Sequence, residues 1–240
     1  STISFTIKDM GPGTWTAKLH QLVGAELSKN GEDQAQGQGK GGGGGGSSTV
    51  NPEGVNVNIL PGIHVLLDGA YGKLSIALDQ YESLVMVAGG IGITPIASLL
   101  GYIASAKGVG RFKSLARLHV VWVAKYRGEI NVFDALLARV QSLDSSFGEA
   151  SGMQVTLSLF ASQEARTADG TAGGGEAPAG TFQVRMGERP AVGALVSEAV
   201  RAAGASTTAV LACGPAAVVD DARDVAYTEG CGFHSECFLL

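Results

Sequence analysis

No charged residue lies between Glu82 and Lys107, and that run constrains the chain more than any other feature. It opens with an apolar stretch, Leu84-Val85-Met86-Val87-Ala88, and passes through Gly89-Gly90-Ile91-Gly92-Ile93 to Thr94-Pro95. Beyond the proline, Ile96, Leu99, Leu100 and Ile103 recur at the spacing of a helix with one buried face. The run is long enough to count as a membrane span. Glycines and a Thr-Pro pair in its middle fit a soluble unit of strand, tight loop and helix better. Thr94 is expected to cap the helix and Pro95 to occupy its first position. A helix start of this kind gathers unbonded N–H groups and the positive end of the helix dipole, where a phosphate binds. A glycine-rich loop is weak evidence alone, and this one departs from the dinucleotide fingerprint GxGxxG by placing Pro95 last.

The same alternation continues downstream. Leu118–Ala124 reads as a strand covered on both faces. Val132–Leu143 has helical spacing, Met153–Phe160 is a strand, and Pro190–Ala203 is a helix with Val192, Leu195, Val196 and Ala199 on one side. Thr208–Cys213 is a strand closed by Cys213-Gly214-Pro215, Ala216–Glu229 a helix, and Gly232–Phe238 a last strand. Strands alternating with helices predict an α/β domain over residues 79–240, with a parallel, five-stranded, doubly wound sheet. Ligands of such sheets bind outside the carboxyl ends of the strands, so Gly89–Pro95, Ala124–Gly128 and Cys213–Pro215 should share one edge. Residues 1–78 are β-rich, with strands at Ser1–Ile7, Val55–Leu60 and Ile63–Leu67 and a short helix at Trp15–Val23. Residues 31–48, ending in the glycines Gly41–Gly46, read as a flexible insertion, and residues 161–180 as a second low-complexity loop.

The net charge of −5 argues against a general nucleic-acid surface. Three cysteines without a CxxC motif point to a reducing compartment. His20, His64, His119 and His234 show no metal-ligand spacing, so no metal site is expected. The chain starts inside an apparent strand without an initiator Met, as a piece of a longer protein would.

Gly90-Ile-Gly-Ile-Thr-Pro95 after one strand, Cys213-Gly-Pro215 after a later one, and an aromatic near the C-terminus resemble the ferredoxin–NADP reductase superfamily. More closely, they resemble the dehydrogenase module of the NADPH oxidase and ferric reductase family. Gly13-Thr14-Trp15-Thr16, Asp68-Gly-Ala-Tyr-Gly72, Trp122-Val-Ala-Lys125, Gly187-Glu-Arg-Pro190 and Phe233-His-Ser-Glu-Cys-Phe238 match its further motifs in order. Three departures stand out. Ala70 replaces a usual proline, Leu239 and Leu240 follow Phe238, and the family's first flavin motif is absent.

The resemblance implies an antiparallel FAD-binding β-barrel, here partial, before the NADPH-binding domain. It implies hydride transfer from NADPH to FAD, with electrons passing to haem in the protein's own membrane domain outside this chain, and then to dioxygen or ferric ion. This places the module on the cytosolic face of a membrane. Gly90, Gly92, Thr94 and Pro95 would cradle the NADPH diphosphate, followed by Gly214 and Pro215 near the nicotinamide. Lys125, Arg127 and Arg189, with Arg185 a weaker candidate, would meet the 2′-phosphate, a job for Lys or Arg. Cys213 would lie by the nicotinamide C4, Phe238 would stack on the flavin, and Glu236 would serve the flavin edge. Thr14, Trp15 and Thr16 either meet the flavin diphosphate or cap a short helix. A soluble flavoprotein reductase and a non-catalytic nucleotide-binding module are the alternative readings.

Overall fold

The computed structural model describes residues 12, 17, 18, 21, 74–144, 152–164 and 182–236. The chain divides into two compact units, Ser1–Gly72 and Lys73–Leu240. In the first, Pro12 lies in a turn and Ala17, Lys18 and Gln21 are helical. The expected β-barrel strands, the 31–48 insertion, Thr14, Trp15, Thr16 and Phe238 lie outside the described residues, as does most of the expected 161–180 loop.

The second unit is a single sheet with helices on both faces. Its strands are β1 (Ser83–Gly89), β2 (Arg117–Ala124), β3 (Gln154–Ala161), β4 (Val184–Met186), β5 (Thr208–Cys213) and β6 (Gly232–Glu236). They lie in the order β4-β3-β2-β1-β5-β6, and every pairing is parallel. Six strands therefore replace the five expected. The additional one, β4, spans three residues and pairs only through Leu159, Phe160 and Ala161. It is too short to show a period of its own.

The helices are α1 (Ile93–Gly108), α2 (Arg127–Asn131), α3 (Asp134–Gln141), α4 (Val192–Ala203) and α5 (Ala216–Glu229). The helix expected over 132–143 is α3, shorter at both ends, and a separate short helix, α2, precedes it; Val132 between them is 69% exposed. Leu137 and Val140 carry the buried face of α3.

Strand alternation divides the core in two. Leu84, Met86 and Ala88 of β1 point to one face, with Leu118, Val120 and Trp122 of β2 and with Ile96, Leu100 and Ile103 of α1. Val85 and Val87 point to the other, with Val121, Phe160 and Val210 and with Val192, Val196 and Val200 of α4. Every residue of β1 is buried, which explains its uninterrupted apolar run. Among the described residues no helix is long and apolar enough to cross a membrane. The charge-free stretch is a central strand and the helix that covers it.

From β1 the chain winds outward through α1 to β2, and from β5 outward the other way through α5 to β6. Right-handed crossovers in opposite directions put α1 and α5 on opposite faces. Neighbouring strands that leave in opposite directions open a crevice between their carboxyl ends. Here that switch point lies between β1 and β5.

Candidate functional site

β1 and β5 run in register, with Ala88 beside Cys213. The segments leaving the two strands meet at the crevice. A single 3-10 turn, Gly90–Gly92, leads from β1 into α1. This turn and its preceding glycine press against Cys213-Gly214-Pro215. A methyl group on Gly89 would come within 2.5 Å of the Pro215 ring, and one on Gly214 within 2.8 Å of the Gly89 backbone. One on Gly92 would overlap the Cys213 carbonyl. These glycines exist so that two backbones can touch. Gly90 differs: its φ is +53° and a Cβ there would have no neighbour within 4 Å. It is the glycine that faces open space, where a ligand backbone can approach.

The expected cap is corrected by the structure. Gly92, not Thr94, precedes α1, and Thr94 and Pro95 are its second and third residues. Thr94 Oγ1 donates to the Ile91 carbonyl at 3.1 Å, so its hydroxyl proton is already engaged. Pro95 costs nothing here, because N–H groups of the first helical turn have no intrahelical acceptor.

Trp122, which opens the motif Trp122-Val-Ala-Lys125 but was given no role of its own there, supports the site. Its side chain is 1% exposed and its Nε1–H donates to the Gly90 carbonyl at 3.1 Å. The Ile93 N–H also points at that carbonyl. Held from two sides, the Gly90 carbonyl faces the sheet. Its signal was a tryptophan inside an apolar strand, whose N–H must find a partner when buried. Phe133 packs edge-on against the indole with ring centroids 5.6 Å apart.

Along the carboxyl edge, Glu236 of β6 is the register neighbour of Cys213, and Trp122 that of Ala88. The row Trp122–Ala88–Cys213–Glu236 crosses the switch point on one face of the sheet. Cys213 is 1% exposed, at the mouth of β5. Glu236 Oε1 lies 3.0 Å from His234 Nε2. The structure thus brings Gly90, Gly92, Thr94, Pro95, Cys213, Gly214, Pro215 and Glu236 to one crevice.

The basic candidates spread toward the other end of the edge. Lys125 follows β2 and is exposed, its N–H donating to Glu129 Oε2 at 3.3 Å. The Arg127 N–H donates to Glu164 Oε2 at 2.6 Å. Among the described residues, Arg127 Nε is buried without a hydrogen-bond partner, an unmatched cationic donor beside the strand end. Arg189, beyond β4, is exposed. Arg185 stacks over Phe160 at 5.3 Å and lies 3.9 Å from Glu188, which gives it a structural role on the sheet margin. With strands about 4.8 Å apart, the end of β4 lies four strands, roughly 19 Å, from that of β5. Arg189 stands three residues beyond the end of β4, on the way into α4. No group of metal-ligating side chains occurs among the described residues.

Comparison with known proteins agrees with this geometry. Residues 81–227 match the family model described as the ferric reductase NAD binding domain. Over 114 residues the chain is 31% identical to the Ferric reduction oxidase 8, mitochondrial, of Arabidopsis thaliana, covering 48% of this chain and 14% of that protein. It is 32% identical over 124 residues to the Ferric reduction oxidase 7, chloroplastic, of the same plant, covering 52% and 14%. A 77-residue match at 27% identity to a superoxide-generating NADPH oxidase heavy chain of Dictyostelium discoideum covers 31% and 15%. These matches span about a seventh of each relative's length. The chain belongs to the NADPH oxidase and ferric reductase family, and its second unit is that family's Rossmann-like, nicotinamide-nucleotide-binding electron-transfer domain.

Proposed function

We propose that this domain binds NADPH along the carboxyl edge, diphosphate at the Gly90 loop, nicotinamide beside Cys213, and 2′-phosphate toward Arg127. The crevice between β1 and β5 carries the reading. Among the described residues it is the place where the strand order switches, and the turn that enters it exposes Gly90 while Trp122 holds the loop from behind.

The residues divide the work by chemistry. Backbone N–H groups at the start of α1 and its positive dipole end favour the diphosphate. Thr94 contributes through its backbone, since its hydroxyl proton is held by Ile91. Arg127, whose Nε lacks a partner, suits a dianionic phosphate better than Lys125 or Arg189. Cys213 is a small, polarizable wall for the nicotinamide, and Glu236 places a carboxylate one strand away. Loss of hydride leaves the nicotinamide ring cationic, so a nearby carboxylate favours the transition state over the ground state.

A flavin, when bound, supplies the two-electron acceptor that can release electrons singly to a haem. We propose FAD for that part, with Thr14, Trp15, Thr16 and Phe238 contributing. Dioxygen or ferric ion would be the final acceptor, through a membrane haem domain of the same protein. The family membership and the names of the relatives support this reading.

Calorimetric titration with NADPH and NADH tests the nucleotide site. NADPH should bind more tightly, and Arg127→Gln should erase most of that preference while Arg189→Ala erases less. Equal affinities in the wild type would overturn the assignment. Flavin absorbance together with NADPH-dependent dye reduction distinguishes an enzyme from a binding module.

A further inference from the structure

His234 is 9% exposed and takes no part in the binding scheme above. It bonds on both sides. Ser75, just before the sheet begins, directs its backbone N–H at His234 Nδ1 over 3.3 Å, and its Oγ lies 2.7 Å from the same nitrogen. On the other side, Nε2 lies 3.0 Å from Glu236 Oε1. A backbone N–H can only donate, so Nδ1 must be the acceptor and Nε2 must carry the proton. The imidazole then donates to the Glu236 carboxylate. Because His234 and Glu236 are two residues apart on β6, both share the face of Cys213, the register neighbour of Glu236.

We propose that His234, fixed in its Nε2–H tautomer by Ser75, is a positioning residue that holds the Glu236 carboxylate beside Cys213 at the nicotinamide end of the crevice. Glu236 alone is half-exposed, with 45% of its side chain accessible, and has several rotamers open to it. The imidazole is rigid and anchored. It converts one carboxylate oxygen into a fixed point and leaves the other for the ring. The effect is electrostatic and selective: a held carboxylate favours the cationic nicotinamide of NADP⁺ over the neutral ring of NADPH. The inference rests on the nucleotide reading above.

The test measures the ratio of NADP⁺ to NADPH affinity by calorimetry on the full chain, which requires no flavin turnover. His234→Leu keeps bulk and removes the donor, and should lower the ratio about fivefold, the size of a partly exposed charge interaction. His234→Gln restores an N–H near the Nε2 position and should bring the ratio back to within about twofold of wild type. In a Glu236→Gln background, His234→Leu should change nothing further. Equal effects of Leu and Gln, or a Leu effect that survives in that background, would overturn the positioning role. Nitrogen NMR of the wild-type imidazole gives a reading independent of any variant's folding: protonated Nε2 and bare Nδ1 are expected, and a protonated Nδ1 would refute the tether. Failure of the wild type to bind either nucleotide overturns the nucleotide reading and this inference with it. Binding with an unchanged ratio overturns this inference alone.

Discussion

His119 on β2 faces Ser158 on β3, with Nε2 2.9 Å from the hydroxyl. Burial lowers its pKa from the ordinary 6.5, against a weaker upward pull from Glu198. A base with a lowered folded value takes up its proton more readily when unfolded. Between that lowered value and 6.5 the unfolded chain therefore binds more protons, and stability falls as the pH falls. Thermal midpoints should drop as the pH falls from neutral through 6.5 in the wild type, and His119→Gln should flatten that slope. The glycines of the crevice make a second contrast. Gly92→Ala sets a methyl group against the rigid Cys213 carbonyl, and an expected cost of about 1–3 kcal/mol should appear in urea midpoints. Gly90→Ala meets nothing but keeps a positive φ, costing about 1 kcal/mol, so its main effect should be weaker nucleotide binding. Equal stability losses at the two positions would contradict their separate roles.

At the scale of elements, the strand–turn–helix unit β1–α1 stands on Trp122 of the neighbouring strand. Trp122→Phe keeps most of the buried ring and deletes the N–H that holds the Gly90 carbonyl. Roughly 1 kcal/mol of stability should be lost. Nucleotide affinity should fall by more than that loss in folding stability alone would produce, because the loop itself loosens; titration of the folded variant checks this. Much of this architecture was legible in the chain. The apolar run of β1 and the i, i+3, i+4 pattern of α1 and α4 are direct products of burial on two faces and one. The meeting of Gly89–Gly92 with Cys213–Pro215 came from parallel strands having their carboxyl ends on one edge. The illegible features depended on long-range partners. β4 exists through its pairing with β3, and the Trp122 and His234 hydrogen bonds join residues 32 and 159 positions apart. No local pattern encodes such pairs.

For the whole molecule, the question is which part of the chain holds the nucleotide fold together. Among the described residues, the buried members of both core clusters run from Leu78 onward, and the compact unit begins at Lys73. The sheet is closed on both faces by its own helices, and its amino end is tied by the Glu82 N–H to the Thr207 carbonyl at 3.0 Å and by the Ala116 N–H to the Glu82 carbonyl at 2.8 Å. A chain starting at Lys73 therefore keeps all six strands, both crossover directions and the crevice between β1 and β5. It also keeps Ser75, and with it the Ser75–His234 bond. Such a chain should unfold in one cooperative transition and bind NADPH with an affinity within about threefold of the full chain. Urea denaturation followed by circular dichroism and by tryptophan fluorescence checks the first point. With Trp15 removed, Trp122 alone reports on the core, so the two signals should coincide. Titration checks the second. Separated transitions, or a nucleotide site that disappears with residues 1–72, would mean that the first unit completes the binding fold, and the assignment of the site to the β1–β5 crevice would have to be abandoned.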